Sequence, residues 1–266
     1  MNYTDINAKA VDSWVENGWE WGTPVTHEVF NAAKNGEWNV LLTPVKNVPH
    51  EWFLPYINDN KLKTVKILGL ASGGGQQMPV FSALGADCTV LDYSDKQLEN
   101  EALVADREGY SINIVKADMT KRLPFDDGTF DIIFHPVSNC YIEDVYHVWN
   151  ECFRVLKKGG VLLAGLDNGL NFMVDDTFQR PMVISNKLPF NPLKNPEQME
   201  KLMKDNDGIE FSHNIEEQIG GQLKAGFILT DIYEDFNNDA ESISDGIAAF
   251  WATRAVKQSD KSSNEK

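Results

Sequence analysis

Cysteine, basic residues and long apolar runs are all scarce in this chain of 266 residues, and each scarcity removes a class of protein. The three cysteines, Cys88, Cys140 and Cys152, are too few and too irregularly placed for a disulfide framework. No CxxC or HExxH spacing offers zinc a site, so no metal is expected. Lys and Arg number 24 against 40 Asp and Glu, and the net charge of −16 repels nucleic-acid backbones and anionic membrane surfaces on average. No Lys/Arg cluster makes a local exception. No uninterrupted apolar run approaches the ~20 residues that span a bilayer, and Met1 to Asp5 lack the basic and apolar regions of an export signal. The expectation is a soluble cytoplasmic protein with neither nucleic acid nor membrane as partner; the sequence does not indicate an oligomeric state. What is present is a 42% hydrophobic share, enough to fill the core of one α/β domain with added caps.

Residues 1–60 carry Trp14, Trp19, Trp21, Trp38 and Trp52, broken by Gly18, Gly22, Pro24, Gly36, Pro44, Pro49 and Pro55. Short helices separated by turns are predicted there, forming an N-terminal helical cap outside the sheet and closing the substrate side of the pocket. From Val65 the pattern changes to strand-like runs, Val65–Leu70, Asp87–Leu91, Ile112–Val115, Phe130–Phe134 and Val161–Leu166, alternating with helical stretches. Such alternation means βαβ units and a parallel sheet. Ser94 with Gln97 forms a capping-box pattern before Leu98, Ala102 and Ala105. Val145, Val148, Trp149, Cys152 and Leu156 recur at helical spacing, with Lys157-Lys158-Gly159-Gly160 as the stop. Residues 169–205 include Pro181, Pro189 and Pro192 and are expected to add a second piece of cap within a domain spanning 61–257. Asn195-Pro196 suits a helix start, and another helix is expected over Ile215–Ala225 despite Gly220-Gly221, which close packing of a neighbour would explain. Phe227–Tyr233 and Ile247–Val256 read as final strands, and 258–266 as a disordered tail.

The chemistry concentrates where strands end. Val65 to Leu70 runs straight into Ala71-Ser72-Gly73-Gly74-Gly75, small residues that let a ligand approach backbone N–H groups closely. The next strand ends on Asp92, whose short carboxylate can accept hydrogen bonds from the ribose hydroxyls of a nucleotide-like cofactor. A nicotinamide site expects GxGxxG, but methionine stands at Met78, where the third glycine belongs. A nicotinamide-dependent oxidoreductase therefore remains only an alternative, as does a non-catalytic regulatory protein that binds the cofactor. Ala117-Asp118-Met119 follows the third strand, and Phe130-Asp131-Ile132-Ile133 and Arg154-Val155-Leu156-Lys157-Lys158-Gly159-Gly160 complete the series.

With these five elements in this order, residues 65–168 resemble the class I S-adenosylmethionine-dependent methyltransferases, most closely their small-molecule branch. The resemblance implies a Rossmann-like, doubly wound α/β fold with a seven-stranded mixed sheet, and S-adenosylmethionine as cofactor. It places the loop of Gly69, Ala71, Ser72, Gly73, Gly75 and Gln76 against the methionine part and Asp92 at the ribose. Tyr93 and Gln97 lie beside it in the cofactor site, Asp118 faces the adenine amino group, and Met119 borders the ring. The family's acidic residue near the end of the first strand is Gly69 here, and its first loop glycine is Ala71. The grip on the methionine amino group is then sought from Gln76 or Gln77.

After the fourth strand comes His135-Pro136-Val137-Ser138-Asn139-Cys140-Tyr141, where donor and acceptor meet in the family. Methyl transfer is an in-line displacement, so alignment is the main task and a base is needed only for a protonated nucleophile. His135 is the candidate base, unless it shapes the pocket, and it is also counted in the cofactor site. Asn139 and Tyr141 either orient the substrate or form pocket wall. The remaining histidines, His27, His50, His147 and His213, show no ligand spacing.

Overall fold

The computed structural model describes residues 2–174, 183–205, 208–237 and 246–259. The tail from residue 260, and residues 175–182 of the expected insertion with Pro181, lie outside the described residues.

The first sixty residues contain α1 (Tyr3–Glu16), α2 (His27–Lys34) and short 3-10 turns at Glu20–Gly22 and His50–Phe53. They add no strand to the sheet. The apolar runs then form β1 (Lys66–Leu70), β2 (Asp87–Asp92), β3 (Asn113–Lys116), β4 (Phe130–His135) and β5 (Leu156–Asp167). α3 (Gln77–Ala83), α4 (Asp95–Glu108) and α5 (Val145–Val155) connect them, with α6 (Pro196–Asp205) and α7 (Ile215–Ala225) following. β6 (Phe227–Asp235) and β7 (Phe250–Lys257) complete a seven-stranded sheet in the order β3-β2-β1-β4-β5-β7-β6. β7 runs antiparallel to both neighbours, so the sheet is mixed. The order reverses between β1 and β4, and ligands of open α/β sheets bind beyond the strand ends at such a switch point.

The central strands β1, β4 and β5 are buried on both faces because a different layer covers each one. Ile67 packs with Trp38, Trp52, Phe53 and Phe81 from the cap and α3, whereas Leu68 and Leu70 pack with Trp149 and Cys152 of α5. The cap reaches the sheet because Gly165 of β5 lacks a side chain. A Cβ there would lie 2.0 Å from the Leu42 carbonyl oxygen, which accepts the Val137 N–H at 3.1 Å.

Several local expectations resolve in physical terms. Ser94 Oγ accepts the Gln97 N–H at 3.1 Å, but the Gln97 side chain turns to the Trp21 carbonyl, so only half a capping box forms. α5 stops at Val155, earlier than the glycines suggest, because Gly128 and Thr129 donate to the last helical carbonyls, of Arg154 and Val155. Leu156 is thereby free to pair with Phe130 as strand. Asn195 accepts from the Glu197 and Gln198 amides at the start of α6. Gly221 is a packing requirement: a Cβ would come within 2.4 Å of Trp149 Cδ1, whereas at Gly220 the nearest atom is 3.9 Å away.

Candidate active site

β1 and β2 end in register, Leu70 opposite Leu91, which sets the glycine loop directly before Asp92. Ala71, where the family has glycine, still adopts φ +47, so the turn keeps its left-handed conformation at a strain of roughly 1 kcal/mol. The three glycine N–H groups find acceptors on β2 and α4, and the Gly75 carbonyl accepts the Val25 N–H of the cap at 2.8 Å. Gly73 N–H donates to Asp92 Oδ2 at 3.1 Å, Gly74 N–H to the Gln97 carbonyl at 2.9 Å, and Gly75 N–H to Glu101 Oε1 at 2.8 Å. A Cβ on Gly73 would sit 2.6 Å from Gln97 Cβ, so glycine is required there by contact.

Two adjoining cavities open at this edge. The larger, about 320 Å³, lies between the glycine loop, the residues after β4, and the cap residues Trp19, Trp21 and Leu41–Pro44, with Phe250 of β7 at its side. The smaller, about 80 Å³, lies between α1 and Leu91, Tyr93, Ala117, Asp118 and Met119. Val11, Ala71, Asp92, Ser138 and Tyr141 border both.

This linear arrangement fits the implied cofactor. The small cavity offers an apolar slot with a carboxylate for a base, Asp92 stands at the junction for a ribose, and the glycine loop faces the large cavity for an amino-acid tail. Asp92 accepts from Tyr93 and Ser94 N–H groups at Oδ1 and from Gly73 at Oδ2. A carboxylate has about four acceptor positions, so one remains at Oδ2, fewer than the pair that the sequence suggests. Burial pushes Asp92 upward, opposed by those three N–H groups. Asp118 accepts from Thr4 Oγ1 at 3.1 Å and the Thr120 amide at 2.8 Å. Gln97 lines the large cavity, and its Oε1 is buried without a hydrogen-bond partner.

The cap is fastened to this rim by polar contacts. Tyr93 OH donates to Asp5 at 2.8 Å, Ser94 Oγ to Asp12 at 2.6 Å, and the Asn7 amide to the Tyr141 carbonyl at 2.9 Å. Gln76 donates to the carbonyls of Glu20 and Thr23. It thus ties the cap to the loop while its residue lines the cavity.

Of the residues expected at the site, Ala71, Ser72, Gly73, Gln76, Asp92, Gln97 and Tyr141 line the large cavity, and Tyr93, Asp118 and Met119 the small one. Gly69, Gly75, His135 and Asn139 line neither. Gly69 faces Met78, whose sulfur would lie 2.8 Å from a Cβ there; Met78 occupies the space an acidic side chain would need. His135 requires a correction as candidate base. It is fully buried, with Nδ1 2.9 Å from the Leu70 carbonyl and Nε2 2.9 Å from the Asn139 side-chain amide, so neither nitrogen is presented to a substrate. Asn139 is equally occupied, continuing to Gln218 of α7 at 2.9 Å. Burial also lowers the His135 pKa, against its two hydrogen bonds.

Sequence reasoning did not find Thr4, Asn7 and Val11, whose positions on α1 carry no motif, nor Leu41–Pro44 and Phe250. Trp19 and Trp21 had one signal, the glycines at 18 and 22 around them, which break the helix and turn that segment over the loop.

Fold and cleft together define a Rossmann-like nucleotide-cofactor enzyme, and comparison with known proteins narrows the class. A family model described as a methyltransferase domain matches residues 68–164. Uncharacterized methyltransferase YbaJ of Bacillus subtilis (strain 168) is 43% identical over 256 residues, 94% of this chain and 97% of that protein. The chain belongs to the class I S-adenosylmethionine-dependent methyltransferases. It is more distantly similar to the sterol 24-C-methyltransferase erg6 of Aspergillus fumigatus, 32% identical over 115 residues, 42% of this chain and 30% of that one. An S-adenosylmethionine-dependent methyltransferase structure from Mesorhizobium loti shares the fold at a TM-score of 0.58 and 18% identity, covering 74% of this chain and 92% of that one. One from Thermotoga maritima gives 0.55 and 16% identity over 97% and 100%.

Proposed function

We propose that this methyltransferase acts in the cytoplasm on a small, predominantly apolar acceptor without negative charge, held between Trp19 and Trp21 of the cap and Tyr141 and Phe250 of the domain. The observation that carries this reading is the lining of the large cavity. Among the described residues around it there is no Lys, Arg or His, and Asp92 is the one carboxylate. The chain itself offers an anionic acceptor no cation there, so its buried charge would be balanced by the cofactor's sulfonium alone, an expensive arrangement for a desolvated ion. Aromatic walls instead favour an apolar body. The three free cysteines, two of them buried, suit a reducing compartment.

S-adenosylmethionine, when bound, would supply a methyl group on a sulfonium whose sulfur departs as a neutral thioether. The chain's own residues supply alignment and exclusion of water. Tyr141 borders both cavities, and burial raises its hydroxyl well above the ordinary range, so at neutral pH it is a hydrogen-bond donor and not a base. Burial raises the Cys140 thiol likewise. With His135 sequestered, the reading is that the acceptor brings a nucleophilic atom that already carries a lone pair, and that Tyr141 orients it.

Transfer of labelled methyl into a metabolite extract, fractionated by charge and hydrophobicity, tests this directly. Label should collect in the apolar fraction without negative charge and fall sharply with Trp21→Ala. Label confined to anionic products would overturn the reading.

A further inference from the structure

The acceptors for the glycine N–H groups of the loop come from β2 and α4, the cap adds the Val25 N–H to the Gly75 carbonyl at 2.8 Å, and β1 contributes Gly69, with Met78 packed against it. One of them is unusual. Glu101 lies in the interior of α4 and is fully shielded from solvent, whereas glutamate is almost never fully buried unless paired. Its Oε1 accepts the Gly75 N–H at 2.8 Å, and its Oε2 has no hydrogen-bond partner. No cation pairs with it in any salt bridge among the described residues. The loop has little freedom to move at this point. Gly75 adopts φ +71, and a Cβ there would meet Val104 Cγ2 at 2.9 Å and the Asn100 carbonyl oxygen at 3.0 Å.

We propose that Glu101 is a positioning residue for the cofactor, anchoring Gly75 from α4 so that the cavity-facing stretch Ala71–Gly73 is held at a fixed height over Asp92. Asp92 fixes the Gly73 amide and Glu101 the Gly75 amide, so the loop is stretched between two carboxylates, with Gly74 tied to the Gln97 carbonyl between them. Neither Glu101 nor Gly75 lines a cavity, so the residue reaches the cofactor through the loop and through its charge on Asp92.

The charge of Glu101 gives this anchor a signature in pH. The titratable groups facing it are Asp92 and Cys88 from β2 and Tyr110 beyond α4, and Ser82 of α3 is a polar neighbour of Cys88. Burial first, with the Asp92 charge adding to it and the Gly75 N–H opposing, pushes Glu101 up to about 8. As pH rises through that value the Gly75 bond becomes charge-assisted and stronger. Folding responds with the opposite sign. A carboxyl whose folded pKa is raised contributes stability that is complete below its ordinary value of 4.5 and is lost as pH climbs through about 8.

The proposal rests on the cofactor site and not on the nature of the acceptor, so the test uses binding alone. Titration with S-adenosylhomocysteine at pH 6.5 and pH 9 is compared for the full-length wild-type chain, Glu101→Gln and Glu101→Ala, with melting temperatures at both pH values. Glu101→Gln keeps an acceptor but not the charge. It should match wild type within about twofold at pH 6.5 and bind roughly three- to tenfold more weakly at pH 9, while melting no lower there than wild type. Glu101→Ala, leaving the Gly75 N–H without its partner, should weaken binding at both pH values. Parallel affinity profiles for wild type and Glu101→Gln would overturn the proposal, as would an affinity loss that tracks a fall in melting temperature at each pH. Failure of the wild type to bind would instead remove the cofactor site itself, and the anchor with it. Should Glu101→Ala not fold, the glutamine variant decides.

Discussion

Two loops leave the same edge of the sheet, one after β1 and one after β4, and they treat their polar groups in opposite ways. The first is edged by Asp92 at the tip of β2, which borders both cavities and keeps an acceptor position on Oδ2. The second turns His135 and Asn139 inward, while its Ser138 and Tyr141 border the cavities. His135, Asn139 and Gln218 form a closed chain, Gln222 donates to the Gln218 carbonyl, and Thr253 of β7 donates to Gln222. A histidine at a strand tip is therefore no indication of catalysis in itself. What distinguishes a binding group from a structural one here is whether its hydrogen-bonding capacity is already satisfied within the protein.

The strongest test of that contrast is His135→Ala. Removing a buried ring that two neighbours depend on should destabilise the fold by about 2–4 kcal/mol in denaturant titrations, with the cofactor affinity of folded protein within roughly threefold of wild type. A tenfold loss of affinity at unchanged stability would break the comparison. Asp92→Ala should do the reverse, weakening S-adenosylhomocysteine binding about ten- to a hundredfold, or roughly 1.5–3 kcal/mol, while the fold persists. Calorimetric titration reads this, and an unchanged dissociation constant would remove Asp92 from the site.

The closed chain also predicts a pH response. Burial depresses the pKa values of both His135 and His213. A base whose folded pKa is lowered leaves stability intact above its ordinary value of 6.5 and loses it as pH falls through the folded value. Melting temperature should thus decline on acidification below that point, and His135→Ala should shallow the slope. The smallest effects sharpen the comparison at α7, which carries Gln218. Gly221→Ala, pressed against Trp149, should cost about 1–3 kcal/mol, whereas Gly220→Ala should stabilise by about 0.5–1 kcal/mol. Equal effects at the two glycines would show that the loop after β4 does not depend on that contact.

Local patterning by itself determined much of this protein. Strand runs, the α7 helix and the start of α6 follow from side-chain periodicity and capping, which act within a few residues and need no partner. The family motifs likewise placed Asp92, Asp118 and the glycine loop, because a backbone that must approach a ligand restricts side-chain size over a short stretch. Only the tertiary structure decided which polar groups remain available. Gln97 looked like half of a capping box until the cap drew its side chain to Trp21, and His135 looked accessible until α7 closed over Asn139. Tryptophans of one composition divided between core, as Trp38 and Trp52, and cavity wall, as Trp19 and Trp21. Glu101 carried no signal at all, since a glutamate within an amphipathic helix reads as a solvated face. Its burial exists only because residues 26 positions earlier fold back onto the helix, and hydrogen-bond satisfaction is a property of neighbours in space that no local pattern encodes.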